Sequence, residues 1–307
     1  PCLVPRHPAA AAVGMPTMPN HASHYYHPGR SNRDAGAQVR DEKPSARANS
    51  RGQVGCPTSR PLAALALCLA LVGCASQPQA PEPGTPPKAT AGTWAGRPIG
   101  AAPIPQPGLR QAVISAATRE WGEFGRQVVV FDANEESIPE VGAWEDDDRG
   151  RSGRVSTYWR AVGRAHLDGY DCNQSWSAAF LGWIMQTAGV PPNQFPPAPT
   201  HAETLTRITG AAGEPDRYWV PRLVSDYSPR PGDIICATRT PHGASAGSVP
   251  ERGTHCDLVV GRDGATLEAI GGDVRNTVSK SRLPLDGEGR LRPAVRRHWF
   301  LILENRL

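Results

Sequence analysis

Serine, cysteine, histidine and aspartate are the side chains from which nucleophilic acyl transfer is assembled. The second half of this 307-residue chain holds a short series of them. Ser177 stands at the head of a Trp-rich apolar segment, and Cys172 lies five residues before it. His255 and Asp257 form a His-x-Asp pair in a short apolar run, where alternation along a strand puts both on one face. Asp273 follows the Gly271-Gly272 pair, and His201 follows Thr200. Each also has an ordinary structural reading. A serine at a helix start is commonly a hydrogen bonder for the exposed N–H groups, and a histidine at a strand end or in a first helical turn is commonly a satisfied polar group. Asp233 in Pro-Gly-Asp and Asp273 after Gly-Gly suit turns. Cys172 falls in an expected loop, where no helix terminus would activate a thiol. Glu135, Glu136 and Glu140 lie on an acidic loop and read as solvated.

The elements that must position these groups run from helices to strands. Val113, Ile114, Ala117, Trp121 and Phe124 recur at helical spacing over 110–124, with Gly125 as the stop. Val128–Phe131 is a short apolar piece, and 132–153 reads as acidic loop. Helices are expected over 155–167 and 176–188, the second with a stripe from Trp176 to Thr187 and a Gly189/Pro191 stop. Thr200-His201-Ala202-Glu203 is a capping box opening a helix to about Ile208. Beyond Glu214, short runs over 218–221, 233–237, 256–260, 266–270, 276–279 and 298–303 are separated by Gly, Pro and Asp, as antiparallel strands are. This order predicts an α+β domain. Tryptophans such as Trp176, Trp159 and Trp183 suit either a sugar-stacking groove or a core.

Upstream lies a different kind of sequence. Arg60 precedes an apolar run, 62–73, that ends Leu71-Val72-Gly73-Cys74. About a dozen apolar residues are too few for a bilayer, which needs about 20, and the order of basic flank, short apolar core and small residues is that of a secretory signal. Residues 1–59 are poor in apolar periodicity and read as a disordered leader or an upstream extension of the reading frame. Residues 74–108 are rich in Pro, Gly and Ala and read as a tether, with the folded domain over 109–307. The first 73 residues carry eight Lys/Arg and three Asp/Glu, a net +5; the whole chain is +4, leaving −1 on 74–307. Net charge therefore makes no case for nucleic acid. There is no phosphate-binding Gly loop, since 261–264 reads as a hairpin turn, and no metal-ligand spacing; no cofactor is expected.

Leu71-Val72-Gly73-Cys74 resembles a bacterial lipobox, which implies acylation of Cys74 and a membrane anchor. In the lipoprotein sorting pattern, Ala75 implies the outer membrane facing the periplasm. Trp176-Ser177-Ala178-Ala179-Phe180-Leu181-Gly182-Trp183-Ile184, Pro231-Gly232-Asp233-Ile234-Ile235, His255-Cys256-Asp257-Leu258-Val259-Val260 and Gly271-Gly272-Asp273-Val274, in that order, resemble the papain-like amidases of the NlpC/P60 and CHAP type. More closely they resemble the bacterial domain of unknown function 2272. The resemblance covers about 109–307 and implies N-terminal helices packed on a small antiparallel sheet. It implies a nucleophile opening the central helix, at Ser177 where the amidases have Cys, with Cys172 as a displaced alternative. It further implies a general base at His255, oriented by Asp273 or Asp257. His201, Trp176 and Asp257 are then candidate cleft residues for substrate. Cys236 and Cys256 fall on strands that neighbour each other in the related fold, so they are either bridged or two buried thiols. Two functions follow as expectations: an amidase or peptidase acting on peptidoglycan or another envelope amide, or a non-catalytic lipoprotein that binds cell wall or protein through the same groove.

Overall fold

Strands buried on both faces lose the apolar–polar alternation of a half-exposed strand, and the centre of this domain's sheet is built of such strands. The computed structural model describes residues 92–239 and 247–307. Cys74, the leader 1–59, the apolar segment 60–73 and the tether up to residue 91 lie outside the described residues. A two-residue hairpin, β1 (Thr93–Trp94) and β2 (Arg97–Pro98), precedes α1 (Pro107–Glu123), β3 (Val128–Phe131) and β4 (Glu136–Glu140). Three helices follow: α2 (Arg149–Ala161), α3 (Ser177–Ala188) and α4 (His201–Gly210). The remainder is β5 (Trp219–Arg222), β6 (Ile234–Thr238), β7 (Thr254–Asp263), β8 (Thr266–Gly271), β9 (Ser279–Pro284) and β10 (His298–Asn305).

The main sheet has eight strands in the order β4-β3-β9-β8-β7-β6-β10-β5. All pairs are antiparallel except β3 with β9, which run parallel from Val128 opposite Lys280 to Val130 opposite Arg282. The domain is thus α+β, but its sheet is larger than expected and mixed. The early strand β3 inserts beside the late strand β9, and β4 forms where only acidic loop is expected. Alternate residues feed two cores. Cys256 and Leu258 of β7, Ile270 of β8 and Leu301 and Leu303 of β10 join the helices in one cluster. Val259, Ala269 and Ile302, their neighbours in sequence, pack with Phe131, Leu285, Leu291 and Ala294 in the other.

Local chemistry sets the helix ends. Pro107 occupies the first turn of α1, where its missing N–H costs nothing. The Asp148 carboxylate caps α2 by accepting from the Arg151 N–H at 2.9 Å. Gly189 ends α3 at φ 87°, a left-handed conformation that favours glycine. Thr200 caps α4 by accepting from the Glu203 N–H at 3.3 Å. The tether is shorter than expected: Trp94 and Ile99 are buried in the helix-side core, and the Gly100 N–H donates to the Ala212 carbonyl at 2.9 Å. No helix among the described residues is long and apolar enough to cross a membrane.

Cys236 and Cys256 stand opposite one another on β6 and β7 and are joined by a disulfide, with Cα atoms 4.2 Å apart. That spacing belongs to a non-hydrogen-bonded pair, so the Cys256 N–H points away from β6. The bridge closes a loop with a sequence separation of 20. On a chain-entropy basis it contributes about 3 kcal/mol. Urea titration of the wild type and of Cys236→Ala/Cys256→Ala, both without reductant, is expected to show a loss of that order in the variant.

Candidate active site

Helix α3 begins inside the protein. It packs against α1, α2, β7 and β8, and its first residue, Ser177, is 3% exposed. No side chain caps it, and the N–H groups of Ser177, Ala178 and Ala179 have no acceptor among the described residues. A buried helix start without a cap leaves a positive end of the macrodipole and oriented donors with nothing opposite them.

The Ser177 hydroxyl lies 2.8 Å from His201 Nε2, which α4 delivers from its first turn. The same nitrogen is 3.4 Å from the Cys256 backbone N. That N–H is available because the β7–β8 ladder begins only at Leu258 opposite Ile270, and the bridge to Cys236 turns it away from β6. A backbone N–H only donates, so Nε2 carries the lone pair, the Ser177 O–H donates to it, and the ring proton sits on Nδ1. Burial, with a smaller push from His255, lowers the His201 pKa to about 3 against a weaker opposing pull from Asp257. His201 is therefore a neutral acceptor across the physiological range.

His255 does not hydrogen-bond Ser177. Its Nε2 donates to Asp257 Oδ1 at 2.7 Å, and its ring meets the His201 ring edge-on with centroids 5.8 Å apart. Burial pushes the Asp257 carboxyl up, but His255 and Arg297 outweigh it and hold the pKa down at about 2. The four groups Ser177, His201, His255 and Asp257 thus share one place, with the contacts distributed differently from the expected pairing. His201 rather than His255 takes the serine hydroxyl. Asp257 rather than Asp273 takes the His255 ring. Asp273 instead accepts from the Ser175 hydroxyl, in a turn where its φ is 56°, and burial raises its pKa.

The glycines explain how Asp257 and the rings of His255, Phe180 and Trp176 fit. A Cβ at Gly271 would fall 1.7 Å from Asp257 Oδ1 and 3.2 Å from His255 Nε2. A Cβ at Gly272 would fall 2.6 Å from both Phe180 Cβ and Trp176 Cζ3. Trp176 is 1% exposed, packed against Phe124, Tyr158 and Phe180, with its indole N–H donating to Glu145. It is a core residue and presents no face to a substrate. Glu145, on which sequence reasoning was silent, is buried, and burial raises its pKa to about 7 against the Trp176 hydrogen bond. Cys172 sits in the exposed turn before α3 and is disulfide-bonded, so it offers no free thiol as an alternative nucleophile. Asp233 has the turn role expected of it, accepting from the Arg230 and Asn305 N–H groups at 2.7 Å each. No cluster of metal-ligating side chains occurs among the described residues.

Residues 139–304 match a family model described as an uncharacterized protein conserved in bacteria, the domain of unknown function 2272. The chain belongs to that family. No curated protein and no solved structure matches the chain. The region shared with the domain of unknown function 2272 opens within β4 and closes within β10, so it contains Ser177, His201, His255, Asp257 and the Gly271-Gly272 pair. It leaves out α1 and β3, which this chain nonetheless uses to complete the helix layer and the sheet.

Two outcomes test the geometry. Gly271→Ala is expected to displace Asp257 from His255 and cost upwards of about 2 kcal/mol in urea unfolding, because backbone and a buried carboxylate cannot both yield. His201 has a depressed pKa when folded, so the unfolded chain binds the extra proton between about pH 6.5 and 3. Its contribution is whole above pH 6.5 and is lost on acidification. Between pH 7 and 4.5 the wild type is expected to lose roughly 2–3 kcal/mol more than His201→Gln, by paired urea titrations at the two pH values.

Proposed function

We propose that the domain is a serine hydrolase of amide bonds on a papain-like frame, carried by an envelope lipoprotein and acting on peptidoglycan or another envelope amide. The observation that carries this reading is the contact of Ser177 Oγ with His201 Nε2 at 2.8 Å, at the uncapped start of α3. In the proposed reaction Ser177 Oγ attacks the amide carbonyl carbon while its proton passes to His201 Nε2. The oxygen that becomes negative is met by the N–H groups at the head of α3, which have no acceptor among the described residues. The proton then goes to the leaving amine, and water hydrolyses the acyl-serine by the same route. With a pKa near 3, His201 is always in its accepting state but is a weak base. Proton transfer must therefore accompany bond formation to carbon and cannot precede it. Asp257 stands one ring behind His201 as the negative charge that offsets its positive charge, against the opposing push of His255.

The envelope part of the reading rests on the Arg60 flank, the apolar run and Cys74 in the sequence, with the membrane reached through acylated Cys74. The Cys236–Cys256 bridge agrees with an oxidising compartment. A second reading has its own support. Ser177, His201, His255 and Asp257 are each no more than 6% exposed, which equally suits a sealed polar network in a cell-wall-binding or protein-binding lipoprotein.

Labelling by a fluorophosphonate, which acts on activated serines, separates the two. The intact wild-type protein is expected to be labelled at Ser177 and to release soluble fragments from muropeptides. Ser177→Ala is expected to lose both, and His201→Gln to slow labelling by about a hundredfold or more. A folded wild type that neither reacts nor releases fragments leaves the binding reading.

A further inference from the structure

Asp257 is fully buried, and among the described residues only one of its two carboxylate oxygens has a hydrogen-bond partner. Oδ1 accepts from His255, whereas Oδ2 has no hydrogen bond to any described residue. A bare, buried carboxylate oxygen is costly unless a compensating charge lies nearby. The nearest charge is Arg297, whose Nη1 is 3.6 Å from Oδ2, too long for a hydrogen bond and within ion-pair range. Arg297 is itself 7% exposed. It comes from outside the four motifs that carry the resemblance, in the segment just before β10, where its backbone pairs with Ala294. Its guanidinium lies 4.9 Å from the centroid of the Phe131 ring, on the core away from the helices. That contact helps to hold the charge in place.

We propose that Arg297 is a positioning residue of this site: by neutralising Asp257 Oδ2 it keeps the carboxylate ionised and aimed at His255, and so fixes the His255 ring beside His201. The inference rests on the hydrolase reading for its effect on rate, and on the ion pair alone for its effect on the carboxylate. The site then runs from the helix layer through the sheet to its far face: Ser177 and His201 on one side, His255 and Asp257 on β7, Arg297 beyond. Because His255 and Asp257 alternate with Cys256 and Leu258, whose side chains face the helices, a charge from the far face is the one their register makes available. The charged and titratable groups facing Asp257 are His255 on its own strand, His201 on α4 and Arg297. Those that act on His255 are Asp257, Asp273 and His201, and Asp273 in turn lies near Glu145 and Arg239.

Two measurements on the full chain test this. The first is the titration of the Asp257 carboxyl by carbon-13 NMR, which needs no activity. Arg297→Met is expected to raise its midpoint by at least one pH unit, and Arg297→Lys to leave it near the wild-type position. An unmoved midpoint in Arg297→Met overturns the proposal. The second is the rate of Ser177 labelling by a fluorophosphonate against pH. Arg297→Met is expected to slow labelling about tenfold and move the acid limb of the profile upward, with Arg297→Lys restoring most of both. Asp257→Asn/Arg297→Met removes both charges together and avoids stranding one in the core, and it is expected to label no more slowly than Asp257→Asn alone. An additional tenfold loss in that double variant overturns the coupling. If the wild type never labels but the carboxyl titration moves as described, the hydrolase reading fails and the assignment of Arg297 stands.

Discussion

The approach of α3 to the end of β8 is the contact on which the rest of the arrangement depends. At Gly272 there is room for a hydrogen and nothing larger, because Phe180 and Trp176 lie where a Cβ would be. At Gly271 the space of the missing Cβ is filled by the Asp257 carboxylate. The pair therefore serves two surfaces at once. It lets a helix lie against strand ends at close range, and it lets a charged side chain fold over the neighbouring strand toward His255. Side chains at either position would separate α3 from the end of β8 or Asp257 from His255. The Trp176 indole, anchored on Glu145 and packed by Phe124 and Tyr158, holds the other side of the same contact.

From that contact the polar geometry follows with few free choices. The head of α3 is driven into the protein without a cap, so its donors and its positive end face the interior. The ladder between β7 and β8 stops at Leu258, so the Cys256 N–H above it is unpaired within the sheet and finds His201. The disulfide contributes to this by holding Cys236 and Cys256 as a close pair whose N–H groups point outward. His201 is thereby fixed in one tautomer by a backbone group rather than by a carboxylate. The carboxylate, Asp257, acts one ring further back, on His255. A buried network of this kind is stable only when its members are satisfied together, which is why the single bare oxygen on Asp257 matters.

Much of this was legible in the residues, for reasons that differ by element. The helical stripe over 176–188, the Gly189 stop and the capping box at Thr200 are local signals, and local physics decides them. Val128–Phe131 and most strands from 219 onward were marked by length and by Gly, Pro and Asp punctuation, but β9 runs over 279–284, where 276–279 is expected from the sequence. The parallel pairing of β3 with β9 was not legible, because it joins segments about 150 residues apart and leaves no mark in either. Likewise Glu136–Glu140 carries too many acidic residues to look like a strand, and it forms one as the exposed edge of a sheet already built. Within the site, the residues came from the sequence but their pairing did not. His-x-Asp on one strand face correctly indicated that His255 and Asp257 could meet. That His201, in an apparently structural first turn, would reach Ser177 depends on how α4 crosses β7, which no spacing encodes. Arg297 had no signal at all, since an arginine among Arg292, Arg296 and Arg297 reads as surface charge until the fold buries it.

Under the proposed reading, a serine stands where the resemblance to papain-like amidases implies a cysteine, and that choice has a physical counterpart in the same pocket. A cysteine nucleophile works as a thiolate beside an imidazolium, so its histidine must be comfortable with a charge. His201 is not: burial, with His255 behind it, keeps its ring neutral down to about pH 3. A pocket that resists imidazolium resists the thiolate–imidazolium pair as a resting state. It suits a hydroxyl, which stays protonated at rest and asks its partner only to accept a hydrogen bond. Under the proposed chemistry the charge on His201 exists only while the new bond to carbon forms, when Asp257 and the head of α3 are placed to balance the opposite charges. Ser177 and the low basicity of His201 are then two sides of one adaptation, and neither is explained by the loss of a cysteine alone.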